Sequence, residues 1–151
     1  MCGIPASGKS TFVKEQIKKG NATWCSRDHI RFSMLNSDDG YFSKEDEVWK
    51  KWIQTAQECI DDETGPDNIY LDATHLTPKA RAKTLNCLNI TGHRLGCVAF
   101  NIPLEECLRR NALRSGRAFV PDSVIKNMYK SYRRPSIYED YFYDEIITVN
   151  R

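Results

Sequence analysis

The chain predicts an α/β domain with a parallel sheet flanked by helices, and three observations carry that prediction. Strand-like and helix-like segments alternate along all 151 residues. A glycine-rich turn, Gly3-Ile4-Pro5-Ala6-Ser7-Gly8, leads directly into a segment of helical spacing. No internal repeat, low-complexity tract or linker interrupts the pattern, so one domain over residues 1–151 suffices.

The elements follow in order. Phe12, Val13 and Ile17 give Ser10 to Lys19 one apolar helical face, which Gly20 stops. Ala22 to Ser26 suits a short strand. Asp28 to Leu35 reads as a short helix capped by the aspartate, and Asn36 to Gly40 as a polar turn. Ser43 to Asp46 opens a helix whose face is traced by Val48, Trp52, Thr55, Ala56, Cys59 and Ile60. Gly65-Pro66-Asp67 breaks the chain before the strand Asn68 to Asp72. Pro78 to Leu88 is a helix with proline in its first turn. His93 to Asn101 is a strand, Leu104 to Leu113 a helix, and Ser115-Gly116-Arg117 a flexible basic loop. A helix then runs from Pro121-Asp122 to about Tyr132, and Ile146 to Val149 forms a last strand. Only Met1-Cys2 precedes the glycine-rich turn. The first strand is therefore expected to be missing or truncated, with the sheet centre poorly filled there.

Composition bounds the function. A chain that is 40% hydrophobic and 28% charged is an ordinary globular one. No apolar run approaches the roughly 20 residues of a membrane helix, and no secretory signal opens the chain. A cytoplasmic location and no membrane partner are expected. The six cysteines form no C-x-x-C pair or compact cluster with histidine, which argues against zinc and against a disulfide framework. The net charge of +2 hides an asymmetry. Residues 1–75 carry 9 Lys/Arg against 13 Asp/Glu, and residues 76–151 carry 13 against 7. Arg109 to Arg134 holds eight basic residues with Asp122 alone opposing them, which suggests an anionic partner. The sequence sets no expectation for the oligomeric state.

The segment Gly3 to Ser10 matches G-x-x-x-x-G-K-[ST] in full, the P-loop pattern, and Thr11 follows. Glycines let the backbone curl so that successive N–H groups point inward at phosphates. The helix beginning near Lys9 adds its positive dipole end. ATP binding is therefore expected at Gly3, Ala6, Ser7, Gly8, Lys9, Ser10 and Thr11. Lys9 reaches the β and γ phosphates, and the Ser10 hydroxyl is placed to hold Mg²⁺. Asp72, ending the strand Ile69-Tyr70-Leu71, is the second magnesium candidate, with Thr74 and His75 at the same sheet edge.

Ligands of open α/β sheets sit beyond the carboxyl ends of strands. Asp28 and Arg31, just past the strand Ala22–Ser26, are therefore expected to face the cleft opposite the P-loop. A carboxylate there can take the proton of an attacking hydroxyl, and Arg31 can neutralise a phosphate. Arg110 and Arg114 share a helix face, with Arg117 on the loop beyond. Arginines on such a lid can close over a γ-phosphate.

These residues, taken in order, resemble the P-loop polynucleotide 5′-kinases. The resemblance runs through Gly3–Thr11, Arg27-Asp28-x-x-Arg31, Asp72-Ala73-Thr74-His75-Leu76-Thr77-Pro78 and Phe100-Asn101-Ile102-Pro103. It continues through Arg110-Asn111-Ala112-Leu113-Arg114 and Val120-Pro121-x-x-Val124-Ile125-x-x-Met128-Tyr129-Lys130-Ser131. It implies an adenylate-kinase-like P-loop sheet with a basic lid, and transfer of the γ-phosphate of ATP to the 5′-hydroxyl of RNA or DNA. By that carry-over Asp28 is the general base and Arg31 engages the acceptor's 3′-phosphate; Thr74 is a further candidate for the substrate side. Lys9 and Ser10 hold ATP and Mg²⁺, and Arg110 and Arg114 surround the donor. The family's acidic residue before the threonine aligns with Ala73, so the aspartate here falls one position early, at Asp72. Its phosphatase domain has no counterpart. The wider group of small P-loop kinases shares most of these motifs. Two further readings thus stand beside the first: a kinase of a small hydroxylated metabolite or nucleoside, and a nucleotide-dependent switch that hydrolyses ATP. The acidic-then-aromatic tail from Tyr138 to Tyr143 is a candidate docking segment.

Overall fold

The computed structural model describes residues 1–138 and 143–150, so most of the proposed docking tail, residues 139–142, lies outside the described residues. Among the described residues four parallel strands pair two by two. β1 (Ala22–Ser26) pairs with β2 (Asn68–Asp72), and β3 (Gly96–Phe100) with β4 (Glu145–Val149). The N-terminal residues join the two pairs. Cys2 forms a parallel bridge with Ala99: its N–H donates to the Val98 carbonyl, and its own carbonyl accepts from Phe100. On the other side the Met1 nitrogen donates to the Leu71 carbonyl at 3.0 Å. Two residues thus act as a rudimentary central strand between β2 and β3. Beside Met1, between residues 68–71 and 96–98, lies an open groove of about 510 Å³.

Among the described residues six helices flank the strands: α1 (Lys9–Lys18), α2 (Arg27–Met34), α3 (Glu45–Asp61), α4 (Pro78–Leu85), α5 (Leu104–Ala112) and α6 (Asp122–Ser131). β1 and β2 occupy the predicted positions, and the other boundaries move by a few residues. The largest shifts are at α4, which stops at Leu85, and β3, which starts at Gly96. The helix after β1 is capped by Ser26, whose hydroxyl accepts from the His29 N–H, and not by Asp28. Asp28 sits inside the first turn, where its charge still suits the dipole.

Apolar spacing decides what each helix buries. On α3, Val48, Trp52 and Ala56 recur every four residues, and all three are buried. Trp52 packs on Cys25, and its indole N–H donates to the Cys25 carbonyl, so the ring is fully buried with its polar atom satisfied. On the P-loop side, Phe12 of α1 wedges edge-on between Tyr70 and Phe100. That contact fastens α1 to the sheet over β2 and β3. Among the described residues no helix is long and apolar enough to cross a membrane. All six cysteines are free, four of them buried.

Candidate functional site

The turn between Cys2 and α1 is shaped by three residues at positive φ or in close approach. Gly3 admits no side chain, because a Cβ there would lie 2.8 Å from both the Phe100 Cβ and the Ser7 Oγ. Its N–H donates to the Thr74 carbonyl, tying the turn to the end of β2. Ala6 and Gly8 adopt φ of 62° and 98°, the left-handed region that folds the chain back over itself. Gly8 then stands as the N-cap of α1 and supplies no side-chain cap. The first amides of α1 are thus left for an anion, and the helix dipole favours one there. Ser7 Oγ is buried without a hydrogen-bond partner among the described residues.

Lys9 fills the centre of this turn. Its ammonium donates to the Gly3 and Ile4 carbonyls at 2.8 and 3.0 Å. Burial pulls its pKa below the usual lysine value, while the carboxylates of Asp72 and Asp28 act to raise it and Arg114 acts to lower it. The charges of Asp72, Asp28 and Arg114 thus all act on Lys9. Ser10 and Thr11 are exposed on the first turn of α1.

Asp72 is 7% exposed at the end of β2, and its Oδ2 accepts from the Trp24 indole N–H at 3.1 Å. Burial raises its pKa, and the charge of Lys9 opposes that shift. Trp24 is thereby committed to Asp72 and to the His29 ring, 4.3 Å away. The described residues contain no cluster of three or more His, Cys, Asp or Glu that could enclose a metal. The two residues expected to meet a metal, Ser10 and Asp72, would offer a hard cation one hydroxyl and one carboxylate. Magnesium is bound this way when phosphate oxygens and waters complete its shell.

His75, beyond Thr74, is a structural residue. Its Nδ1 donates to the Met1 carbonyl at 2.7 Å and its Nε2 meets the Thr84 hydroxyl at 3.0 Å. Burial holds its pKa down to about 3. The unfolded chain takes up that proton near pH 6.5, so stability is lost as pH falls from about 6.5 toward 3. The melting temperature should drop between pH 7 and pH 5, with a shallower slope in a His75→Asn variant. Equal slopes would remove His75 as the cause.

Past the end of β1, Asp28 and Arg31 are brought together and bonded to each other. The Asp28 side chain is 60% exposed, whereas Arg31 is buried at 4%. Arg31 also reaches Glu45 on α3, Nη2 to Oε2 at 2.8 Å, and Arg27 bonds to the same carboxylate. The arginine expected to meet the acceptor's phosphate is thus engaged inside the protein. Sequence reasoning missed Glu45 and Tyr41. Both are far from Asp28 along the chain, and nothing local marks them.

The basic segment divides. Arg109 and Arg110 both bond to Glu106, three and four residues earlier on α5. A glutamate four residues before an arginine is a legible pairing signal that the reading overlooked. Arg110 still borders the P-loop, since its Nη1 would lie 3.6 Å from a Cβ at Gly8. Arg114 contacts the Ala118 carbonyl at 3.4 Å, and Arg117 the Asn36 carbonyl at 3.0 Å. Residues 116–118 form one 3-10 turn.

A family model described as "AAA domain" matches residues 1–135. Among solved structures, a gluconokinase from Sinorhizobium meliloti 1021 matches with a TM-score of 0.58 at 12% identity, over 99% of this chain and 79% of its own. Kti12 from Chaetomium thermophilum, solved in complex with ADP-AlF3, matches with a TM-score of 0.61 at 13% identity, over 99% and 86%. Identities this low show a shared fold, the α/β arrangement of parallel strands flanked by helices.

Proposed function

We propose that this chain, which belongs to the AAA domain family, transfers the γ-phosphate of ATP to a hydroxyl, and that the acceptor is the 5′-hydroxyl of a polynucleotide. The observation that carries the transfer is Asp28, an exposed carboxylate just past the end of β1 whose charge acts on Lys9. A phosphate site alone would serve a hydrolytic switch, whereas a carboxylate set opposite it supplies a base for an acceptor hydroxyl. The fold shared with a gluconokinase and with a protein solved holding ADP-AlF3 supports the kinase class.

In this mechanism the first-turn amides of α1 and the Lys9 ammonium bind the β and γ phosphates. Ser10 and Asp72 would hold Mg²⁺, which would neutralise charge on the phosphate oxygens. Asp28 accepts the proton of the acceptor hydroxyl as its oxygen bonds to the γ-phosphorus. The bond from that phosphorus to the bridging oxygen breaks, and ADP leaves. Arg110 and Arg114 stand on the donor side, where charge builds on the transferring group.

Support for a polynucleotide comes from the ordered motifs and from the exposed Arg117, Lys126, Lys130, Arg133 and Arg134. Contacts of this kind confer salt-sensitive binding. One observation favours a second reading, a small hydroxylated metabolite: Arg31 is buried and paired with Glu45, so it is not free to meet an acceptor phosphate. A labelling panel decides. The protein is incubated with γ-labelled ATP and Mg²⁺, supplying in turn a 5′-hydroxyl oligonucleotide, a metabolite panel and water. Label is expected on the oligonucleotide. Label on a small molecule would transfer the assignment to the second reading, and free phosphate alone would overturn both.

A further inference from the structure

The residue most closely joined to Asp28 from outside its own helix is Tyr41, in the loop 36–44 between α2 and α3. Its hydroxyl donates to Asp28 Oδ1 at 2.8 Å and accepts from Arg31 Nη1 at 2.9 Å. Arg31 bonds to the same carboxylate oxygen. Two donors on one oxygen fix the rotation of the carboxylate plane, which a single contact would leave free at a side chain 60% exposed. Tyr41 is itself wedged: Phe32 and Phe42 meet its ring edge to face at 6.1 and 4.7 Å, and the Arg31 guanidinium lies 4.4 Å from the ring centroid. Burial and the charge of Asp28 push its pKa up to about 12. At neutral pH the hydroxyl is therefore a donor.

The same loop meets the lid at its other end. Arg117 donates to the Asn36 carbonyl at 3.0 Å and lies 5.9 Å from the Phe32 ring. Within the loop, Asp39 accepts from the Asn36 N–H at 2.8 Å and pairs with Lys44 at 3.2 Å. Both ends of the loop are thus tied together, and a continuous set of contacts runs from Arg117 through Phe32 and Tyr41 to Asp28.

We propose that Tyr41 is the positioning residue for Asp28, and that loop 36–44 makes this positioning depend on the docking of Arg117. The inference rests on the reading of Asp28 as the base. The lid turn then acts twice in one movement: it brings Arg114 toward the donor and steadies the carboxylate that meets the acceptor. Loss of the tyrosine hydroxyl leaves Asp28 held by Arg31 alone, free to rotate away from the acceptor, and small misplacements of reacting groups cost one to two orders of magnitude in rate.

The test uses the full chain with γ-labelled ATP and Mg²⁺, and the acceptor that the labelling panel identifies, beginning with the 5′-hydroxyl oligonucleotide. Tyr41→Phe is expected to lower kcat about 10-fold with the KM for ATP unchanged. Placed in an Asp28→Asn background it should cost nothing further, because there is no base left to position. Arg117→Ala should lower kcat by a smaller factor and shrink the effect of Tyr41→Phe. Normal kcat in Tyr41→Phe, or an equal loss in both backgrounds, overturns the assignment, as does a loss of ATP affinity alongside turnover, which marks a folding defect. Strictly additive effects of Tyr41→Phe and Arg117→Ala overturn the coupling to the lid. An inactive Asp28→Asn with an unaffected Tyr41→Phe sinks this inference alone. A fully active Asp28→Asn removes the base itself, and the positioning role with it.

Discussion

Asp28→Asn is expected to lower transfer turnover by roughly 10²–10⁴-fold while ATP affinity stays near that of the parent. The substitution is close to isosteric and keeps an oxygen to accept from Tyr41 and Arg31. It removes the negative charge and the basicity together. The fold should tolerate it because α2 does not depend on Asp28 for its cap, a role that Ser26 fills. Arg31 keeps the Glu45 carboxylate as its counter-ion, so no buried cation is stranded. Donor binding should survive because the phosphate-binding amides and Lys9 belong to α1 and its preceding turn, a separate element. The comparison is made by single-turnover labelling for the chemical step and by calorimetry for ATP. Near-normal transfer in the variant would remove Asp28 from the mechanism.

The contrast between Asp28 and its neighbours shows what a linear reading can reach. The P-loop was legible because its chemistry is local: amides, glycines and a lysine lie within eight consecutive residues. The buried face of α3 was legible because helical geometry converts spacing directly into direction. The place of Asp28 at a strand's carboxyl end followed from topology, but its partners did not. Tyr41 and Glu45 reach it and Arg31 across a loop whose path is set by tertiary contacts, and a polar turn followed by an acidic helix start has no feature that foretells them. The cap was misassigned for a simpler reason. Ser26 and Asp28 are both good cap residues two positions apart, and the strand end at Ser26 decides between them. Met1-Cys2 is too short to carry any alternation, yet hydrogen bonds from both neighbouring strands hold it in the sheet. The arginines of 109–117 were grouped by charge alone, whereas Glu106 takes two of them.

Lys9→Ala should have the largest effect of any single change: transfer at least 10³-fold down, and ATP affinity weakened at least 10-fold, about 1.4 kcal/mol or more. Two losses combine. The ammonium is the one lysine charge placed within the P-loop, and no mobile counter-ion can replace it in a turn bounded by the buried Gly3, Ile4, Ala6 and Ser7. The Gly3 and Ile4 carbonyls also lose their common donor, and the turn loses the link that sets its width. Lys9→Arg should not restore function, because the planar guanidinium cannot occupy a space shaped for a compact ammonium with three rotatable donors. Thermal unfolding with and without MgATP gives the readout, since a ligand that binds the folded state raises its stability by mass action. The parent is expected to gain several degrees at saturating MgATP and the variant almost none. The variant without nucleotide should melt close to the parent, because the loss of the two carbonyl contacts is opposed by removal of a buried, desolvated charge. A Lys9→Ala protein stabilised by MgATP as strongly as the parent would mean that the triphosphate sits elsewhere, and the turn before α1 would lose its claim to be the site.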